Sequence, residues 1–400
     1  MKVSTLVVGL NPALQKRLVL PGPLSAGDVH RVTEVQKGIG GKGQDVAVAL
    51  HCLASGLGRE EERQFHTRLL QFLGTGGQEL QEQLAPLVDD VDALTVHCAT
   101  PLRTCTSLVA PDATTELVEP SGAVSKAEIQ DLWNQLDQVY PSTATNQQPT
   151  GVAFMGSLPP DCPKDIYAQL YQKLGSIKND CVCLMDAVVG LPDLLSVIDG
   201  MPQHGPVVWK VNLGELCALV GQAKLENDDA SVTAALEKFA QKFTSERTNQ
   251  LHAIALTNGP KAAYLARPSA SSSSATTWSV TKIPTPSLSS EGVTLYPIGA
   301  GDAVAAGTLA AWQLLRQQID SEDDDKQNKG GSAPAWTTAV QMAHATAADG
   351  ENLITTAFRF GLACGSASCL QEENSVLDTS KAVDMFQAMP SPVPMLQTLT

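Results

Sequence analysis

The chain has little positive charge. Its 400 residues include 27 Lys and Arg against 42 Asp and Glu, which gives a formal net charge of -15. Nucleic-acid binding draws most of its affinity from cationic side chains, so this balance argues against a nucleic-acid partner. Long apolar runs are also missing. The longest, over 303–315, is shorter than the roughly 18 residues that span a bilayer, and we expect no membrane span.

The sequence also has no cysteine pattern typical of a disulfide framework or a metal site and no glycosylation site, and we expect no secretory leader. Its nine cysteines are an odd number without matched histidine spacing, and no Asn-x-Ser/Thr sequon occurs. The first residues lead straight into a strand pattern, with no small-residue cleavage site. These features predict reduced thiols and a cytoplasmic protein.

What is present is a globular composition, with 43% hydrophobic and 17% charged residues. Short β-branched runs alternate with longer amphipathic stretches, which predicts an α/β fold with a parallel sheet. The predicted strands are 3–9, 151–155, 181–186, 206–211, 252–257 and 262–266. The predicted helices are 43–55, 60–72, 125–139, 164–174, 213–220 and 231–244.

Two kinds of segment interrupt this alternation. Short alternating strands over 16–37, 94–98, 104–110 and 115–119 predict a small second sheet. Polar stretches over 268–276 and 317–352 predict surface insertions.

The glycine-rich segment 38–43 (Gly-Ile-Gly-Gly-Lys-Gly) opens a predicted helix. It satisfies the dinucleotide-binding spacing, but a plain glycine turn explains it equally well. A Walker A loop is excluded because Gly43, not Ser or Thr, follows Lys42. An oxidoreductase that uses a dinucleotide therefore stays open as an alternative.

A second small-residue turn, 299–302 (Gly-Ala-Gly-Asp), leads into an Ala-rich helix. Free backbone amides at a helix start attract anions, such as a phosphoryl group in transfer. Asp302 beside them is either a general base for a hydroxyl proton or an ordinary N-cap.

Polar residues also follow two neighbouring predicted strands, where ligands collect in open parallel sheets. Asn212 and Glu215 lie three residues apart, a spacing that suits a magnesium ion bound through water or, equally, a helix capping box. The segment 257–259 (Thr-Asn-Gly) either binds phosphates through its backbone or forms a tight turn.

In chain order, seven motifs resemble those of the ribokinase-like (PfkB-type) carbohydrate kinases. They are 9–14 (Gly-Leu-Asn-Pro-Ala-Leu), 40–43 (Gly-Gly-Lys-Gly), 102–104 (Leu-Arg-Thr), 156–159 (Gly-Ser-Leu-Pro), 210–215 (Lys-x-Asn-x-x-Glu), 257–259 (Thr-x-Gly) and 299–302 (Gly-Ala-Gly-Asp). The Asn-Pro-Ala sequence, Arg103, the 115–117 stretch and Pro297 are most similar to the 1-phosphofructokinase and tagatose-6-phosphate kinase branch.

The resemblance implies one domain over 1–400, a three-layer αβα sandwich with a mostly parallel central sheet and a small β-sheet lid formed by 12–38 and 93–120. It also implies transfer of the ATP γ-phosphate, with Mg2+, to a hydroxyl of a sugar or sugar phosphate, most of all a hexose phosphate. The family further suggests a homodimer through the lid strands.

The resemblance assigns roles to individual residues. Asp302 is the expected base, and Gly299, Ala300 and Gly301 form the anion hole. The expected ATP-binding residues are Lys210, Asn212, Glu215, Thr257 and Gly259. Of these, Asn212 and Glu215 are expected to bind magnesium through water. The expected sugar-binding residues are Gln15, Gly40, Gly41, Lys42, Asp45 and Arg103.

Two positions depart from the family pattern. Gln15 stands where the family has Asp, and Asp45 stands where Asn is usual. The two residues can exchange roles across one site, since Gln donates and accepts while Asp45 restores a carboxylate. The departures leave two alternatives open. One is a kinase of an unphosphorylated sugar or nucleoside, and the other is a catalytically silent kinase-like binding protein.

Overall fold

A computed structural model describes residues 3–55, 65–141, 148–175, 181–201, 204–223, 229–243, 251–268, 278–288, 294–322, 335–346 and 353–399. The strands are β1 (Val3–Val8), β2 (Ala13–Val19), β3 (Glu34–Gly40), β4 (Phe65–Thr75), β5 (Thr95–Pro101), β6 (Thr104–Val109), β7 (Thr114–Val118), β8 (Gly151–Met155), β9 (Val182–Asp186), β10 (Val207–Asn212), β11 (Leu251–Thr257), β12 (Ala263–Pro268), β13 (Trp278–Ile283) and β14 (Val393–Leu399). The α-helices are α1 (Lys42–Ala54), α2 (Gln78–Leu84), α3 (Lys126–Val139), α4 (Ile166–Gly175), α5 (Leu191–Gly200), α6 (Leu213–Leu219), α7 (Asp229–Phe243), α8 (Ala300–Glu322), α9 (Ala335–Thr346), α10 (Leu353–Ser368) and α11 (Thr379–Ala388).

A ten-stranded sheet forms the middle of the fold, in the order β14-β13-β12-β11-β10-β9-β8-β1-β4-β5. The strands from β11 to β5 in this order pair in parallel, and β12, β13 and β14 add an antiparallel edge. Central strands such as β8 and β9 are buried along their whole length, as expected for parallel strands covered on both faces.

Helices cover both faces of this sheet and give it two hydrophobic cores. Helices α1, α2 and α8 to α11 pack on one face, and α3 to α7 pack on the other. The predicted three-layer αβα sandwich with a mostly parallel central sheet is confirmed. Among the described residues, no helix is both long and apolar enough to cross a membrane.

The small second sheet has four strands in the order β3-β2-β6-β7. Strands β2 and β3 are antiparallel neighbours, and β6 joins β2 in parallel. The strand predicted over 94–98, which we placed in the lid, lies elsewhere. It is β5, which pairs with β4 at the edge of the large sheet, where its side chains Thr95, Val96 and Cys98 are buried. We call the sheet of β2, β3, β6 and β7 the lid.

Two further predictions from the sequence are wrong. The helix predicted over 60–72 is strand β4 from Phe65 onward, and 60–64 lie outside the described residues. The predicted insertion 317–352 contains helix α9, whose Trp336 is only 1% exposed. The Trp336 indole donates to Leu53 O at 2.9 Å and stacks on Phe360, so this helix belongs to the core. The rest of that stretch over 323–334 and 347–352, and the predicted insertion beyond Pro268, are outside the described residues.

Candidate active site

The candidate site lies at the carboxyl ends of three neighbouring parallel strands. Asp186 is the last residue of β9, Asn212 of β10 and Thr257 of β11. Asn212 and Thr257 are register partners. Parallel strands bring such end residues to one edge, which is where open α/β sheets bind ligands.

Between this edge and the lid is a cavity of about 970 Å³. Eight of the residues predicted from the sequence line it: Gln15, Gly41, Lys42, Asp45, Arg103, Glu215, Gly299 and Asp302. The structure therefore brings together residues that are almost 300 positions apart in the chain. The other predicted residues, Gly40, Ala300, Gly301, Lys210, Asn212, Thr257 and Gly259, adjoin the site but do not line this cavity.

Lys42 and Asp45 reach the cavity because a tight glycine turn starts α1. A Cβ on Gly43 would lie 2.3 Å from Gly9 Cα, so only glycine lets α1 approach the end of β1 this closely. The turn follows β3, an antiparallel lid strand, and not the first strand of a parallel βαβ unit. The structure therefore does not support the dinucleotide alternative, whose fingerprint needs that parallel strand.

The other wall of the cavity is the start of α8. Gly299 has a φ of +80°, which favours glycine, and its carbonyl accepts from Ser375 Oγ at 2.9 Å. Asp302 lies in the first turn of the helix. The backbone amides of Asp302 and Ala303 donate to Gly299 O, at 3.0 and 2.9 Å, while that of Ala300 donates to Pro297 O at 3.2 Å. Asp302 therefore lies beyond the N-cap position of α8. The Ala300 amide already has a hydrogen-bond partner within the turn.

A network of charges that the sequence did not predict joins the start of α1 to strands β9 and β10. Asp186 is 1% exposed and accepts from Lys42 Nζ at 2.8 Å and from Lys210 Nζ. Burial alone would raise the pKa of Asp186, but the charges of Lys210 and Lys42 hold it below its ordinary value. Lys42 also donates to Glu215 Oε1 at 3.0 Å. One aspartate therefore fixes two lysines beside the cavity.

Together with burial, this network sets the pKa of the Asp302 carboxyl group near neutral pH. Burial raises its pKa most, the charge of Asp186 raises it further, and Lys42 and Lys210 oppose both effects. The resulting pKa is about 7. A carboxyl group with a pKa near the operating pH suits proton transfer. Perturbed carboxyl groups in clefts are also typical of functional sites.

Asp45 is the second unusual carboxyl group. Burial raises its pKa well above the ordinary value, and the charges of Asp302 and Glu116 add to this effect. Its Oδ1 is buried and accepts no hydrogen bond from the described residues, although the side chain lines the cavity. An orphaned polar atom at a cavity wall indicates a partner that the ligand would supply.

The lid contributes Gln15 and Arg103. Gln15 Nε2 donates to Ser107 Oγ at 2.7 Å, and no hydrogen bond joins Gln15 to Asp45 among the described residues. Arg103 donates to the carbonyl oxygens of Asn11 and Pro12, at 2.9 and 3.4 Å. Neither bond uses Arg103 Nη1, and the residue lines the cavity.

Asn212 and Glu215, which are predicted to bind magnesium, form a helix capping box. This was the alternative interpretation of their spacing. Asn212 Oδ1 accepts from the Glu215 amide at 2.8 Å, and Glu215 Oε2 accepts from the Asn212 amide at 3.1 Å. Glu215 nevertheless lines the cavity, and 30% of its side chain is exposed. Gly259 has a φ of +56°, as in a tight turn after β11.

Comparison with known proteins identifies the family. The model of the pfkB family carbohydrate kinases matches residues 14–379. Phosphofructokinase-2 from Escherichia coli, solved in complex with potassium, is 17% identical, with a TM-score of 0.63 over 96% of this chain and 98% of that chain. A possible 1-phosphofructokinase from Thermotoga maritima is 17% identical, with a TM-score of 0.63 over 98% and 99% of the two chains.

Ribokinase from Giardia lamblia is 15% identical, with a TM-score of 0.62 over 96% of this chain and 99% of that chain. These structures share the fold of this chain from end to end. The family match extends from the lid strand β2 to the beginning of α11 and includes both walls of the cavity. The chain therefore belongs to the pfkB family of carbohydrate kinases, which makes it a phosphotransferase that acts on a sugar hydroxyl.

Proposed function

We propose that this kinase transfers the γ-phosphate of ATP to a hydroxyl of a hexose phosphate, with Asp302 as the general base. The observation that carries the proposal is a buried carboxyl group with a pKa of about 7 at the start of α8, in a cavity that Lys42 also lines. Phosphoryl transfer depends mainly on positioning and electrostatic stabilisation, which a base at a helix N-terminus can supply.

In this mechanism the substrate hydroxyl gives its proton to Asp302 as its oxygen attacks the γ-phosphorus. The new P–O bond forms while the bond to the β-phosphate oxygen breaks, and ADP leaves with that electron pair. The start of α8, at Gly299 and Gly301, faces the charge that develops on the phosphoryl oxygens. Asp186 takes no proton, and its role is to hold Lys42 and Lys210 in place.

The residues present fit ATP and magnesium. Glu215 offers a partly exposed carboxylate at the cavity, which matches the preference of Mg2+ for one or two carboxylates with water and phosphate oxygens. Glu215 is therefore the residue we assign to the ion, and Asn212 supports it through the capping box. Bound magnesium offsets the charge of the phosphates. Lys210, Thr257 and Gly259, at the ends of β10 and β11, are assigned to the nucleotide.

The sugar would lie between the lid and α1. We assign its hydroxyl groups to Gln15 and to the orphaned carboxyl group of Asp45, near the backbone of Gly40 and Gly41. Its phosphate is assigned to Arg103 and Lys42, because a guanidinium binds two phosphate oxygens at once. The Escherichia coli phosphofructokinase-2 solved with fructose-6-phosphate, 19% identical to this chain, has the same fold.

One observation favours an unphosphorylated sugar or nucleoside as the second candidate substrate. Among the described residues that line the cavity, Asp45, Glu116, Glu215 and Asp302 are acidic, and only Lys42 and Arg103 are basic. A cavity with this balance disfavours a second phosphate group unless Asp45 is protonated.

A coupled assay of ADP release separates these possibilities. We would test fructose 1-phosphate, fructose 6-phosphate, tagatose 6-phosphate, fructose, ribose and adenosine with the same enzyme preparation. We expect turnover with a hexose phosphate. Turnover confined to fructose, ribose or adenosine would support the second candidate. Tight sugar binding without ADP release would show a silent binding protein.

The pKa of Asp302 predicts the pH dependence of the reaction. The base must be ionised to accept a proton, and its pKa is about 7. We therefore expect kcat/KM to rise with pH and to level off above about pH 7, with an acid limb of unit slope. Initial rates across this range, at saturating ATP, measure the limb. A rate that is flat between pH 5 and pH 8 would contradict the assignment.

We also propose that two copies associate through their lids. Apolar side chains are exposed on the lid, including Val35, Leu117 and Val118, of which Leu117 is 54% exposed. Leu117→Asp should lower the mass measured by light scattering to that of one chain, because it places a charge in the contact. Met342→Asp, an equally exposed change on α9, is the control and should leave the mass unchanged. A wild-type protein that is already monomeric would contradict this proposal.

A cytoplasmic location is proposed as well. All nine cysteines lie within the described residues and none of them forms a disulfide, which fits a reducing compartment.

A further inference from the structure

A buried arginine in the lid contacts the segment that leads into the active site. Arg17 lies on the same face of β2 as Gln15 and is 6% exposed. Its guanidinium carbon lies 4.9 Å from the centre of the Tyr296 ring. Tyr296 directly precedes the turn 297–301, which begins α8 and places Asp302. This cation–π contact therefore joins the lid to the catalytic turn.

Two more side chains complete the connection. Arg17 NH1 donates to Gln36 Oε1 at 3.1 Å, and Gln36 Nε2 donates to Glu372 Oε2 at 3.2 Å. The Tyr296 hydroxyl donates to the other oxygen, Glu372 Oε1, at 3.4 Å. We call Arg17, Gln36, Tyr296 and Glu372 the lid latch. They form a closed ring of contacts between strands β2 and β3 of the lid and the body of the protein.

Outside the lid, hydrogen bonds to backbone atoms also hold the turn 297–301 and the residue before it. The Tyr296 amide donates to Cys369 O at 2.8 Å, at the end of α10. Ser375 Oγ donates to Gly299 O at 2.9 Å. Glu372 lies between these two anchor points in the chain. Displacement of the lid at Arg17 would therefore act on the same segment, 369–375, that fixes the position of Gly299.

We propose that Arg17 is a positioning residue, which through Tyr296 and Glu372 sets the turn 297–301 and so the placement of Asp302 when the lid is in place. The inference rests on the proposed function in one respect, that Asp302 is the base. Phosphoryl transfer depends mainly on positioning, and small displacements of a reacting group cost large factors in rate. Arg17 lines neither wall of the 970 Å³ cavity, so its effect on rate would have to pass through the latch.

The first test is a double-mutant cycle in kcat. Arg17→Met and Tyr296→Leu should each lower kcat about tenfold and leave the Kd for ATP unchanged, and the double variant should lose no more than either single one. Lys16→Met removes a cation from the opposite face of β2 and should keep the wild-type kcat. Wild-type kcat in Arg17→Met, or losses that multiply in the double variant, would overturn the proposal.

A second readout needs no turnover. In the free enzyme, hydrogen exchange of the amides over 298–303 should be about tenfold faster in Arg17→Met than in the wild type and in Lys16→Met. Unchanged exchange there, or faster exchange spread evenly over the chain, would overturn the latch. If Arg17→Met does not fold, the variant Tyr296→Leu replaces it in this measurement, because Tyr296 is partly exposed. A wild type without sugar turnover would count against the proposed function alone, because the exchange result still decides the latch.

Discussion

Asp302→Asn is expected to lower kcat by about 10²- to 10⁴-fold, which is the usual contribution of a general base. Asn has nearly the same shape as Asp but accepts no proton at neutral pH. ATP binding should persist, because the residues that we assign to the nucleotide lie at the ends of β10 and β11. Steady-state rates, with nucleotide affinity measured by calorimetry, test both halves of this expectation. Wild-type activity in Asp302→Asn would refute the base assignment.

The same substitution should stabilise the fold at alkaline pH. The pKa of Asp302 is about 7 in the folded state, against about 3.9 for an unfolded aspartate. Because the folded pKa is the higher one, the folded protein binds the proton more tightly, and its free energy of unfolding falls as pH rises from about 4 to 7. Above pH 7 the buried charge costs roughly 4 kcal/mol at most. Asp302→Asn avoids this cost.

The melting temperature of Asp302→Asn should therefore exceed that of the wild type at about pH 8, and the difference should shrink as pH falls toward about 4. The comparison at low pH is the internal control, since both proteins are then neutral at this position. An equal melting temperature at every pH would show that Asp302 is not a strained buried carboxylate.

Asp186→Asn should affect stability and catalysis together. It leaves the buried Lys210 without its charged partner, and breaking a buried ion pair in this way costs about 3–5 kcal/mol. The charge of Asp186 raises the pKa of Asp302, so its removal should move the acid limb of kcat/KM to lower pH. Chemical denaturation measures the first effect, and the pH–rate profile measures the second.

Asp193→Asn is the matched control for this variant. Asp193 is exposed in the first turn of α5, so its substitution should change stability by less than about 1 kcal/mol and should not move the acid limb. An acid limb that stays in place or moves to higher pH in Asp186→Asn would contradict the charge network described above.

Much of the fold follows from local patterns in the sequence. Strands such as β8, β9 and β10 are short apolar runs between amphipathic helices, and the structure has them where they were predicted. Strand β4 overlaps the helix predicted over 60–72, because Phe65, Leu69 and Leu70 also fit helical spacing. Such spacing alone is ambiguous between helix and strand, and burial decides the outcome, because Leu69 lies in the core on one face of the sheet and Leu70 and Phe72 lie in the core on the other.

The site was only partly predictable. The glycine turns at 40–43 and 299–302 mark the two walls of the cavity, and both are recognisable in the sequence. Asp186 is not, because its partners Lys42 and Lys210 lie 144 and 24 residues away in the chain. Its one signal is a single acidic residue at the end of an otherwise apolar strand. The raised pKa of Asp302 depends on this contact and on burial, so it too needs the structure.

In the proposed reaction, this chain transfers one phosphoryl group from ATP to a sugar hydroxyl with Asp302 as the base. The most direct measurement is ³¹P NMR of the reaction with the best acceptor from the substrate screen, run in parallel with the wild type and Asp302→Asn. We predict one new phosphate ester for each ADP formed by the wild type, and formation of both at least about 100-fold slower with Asp302→Asn. ADP with inorganic phosphate but no ester, or equal ester formation by the two proteins, would contradict the account.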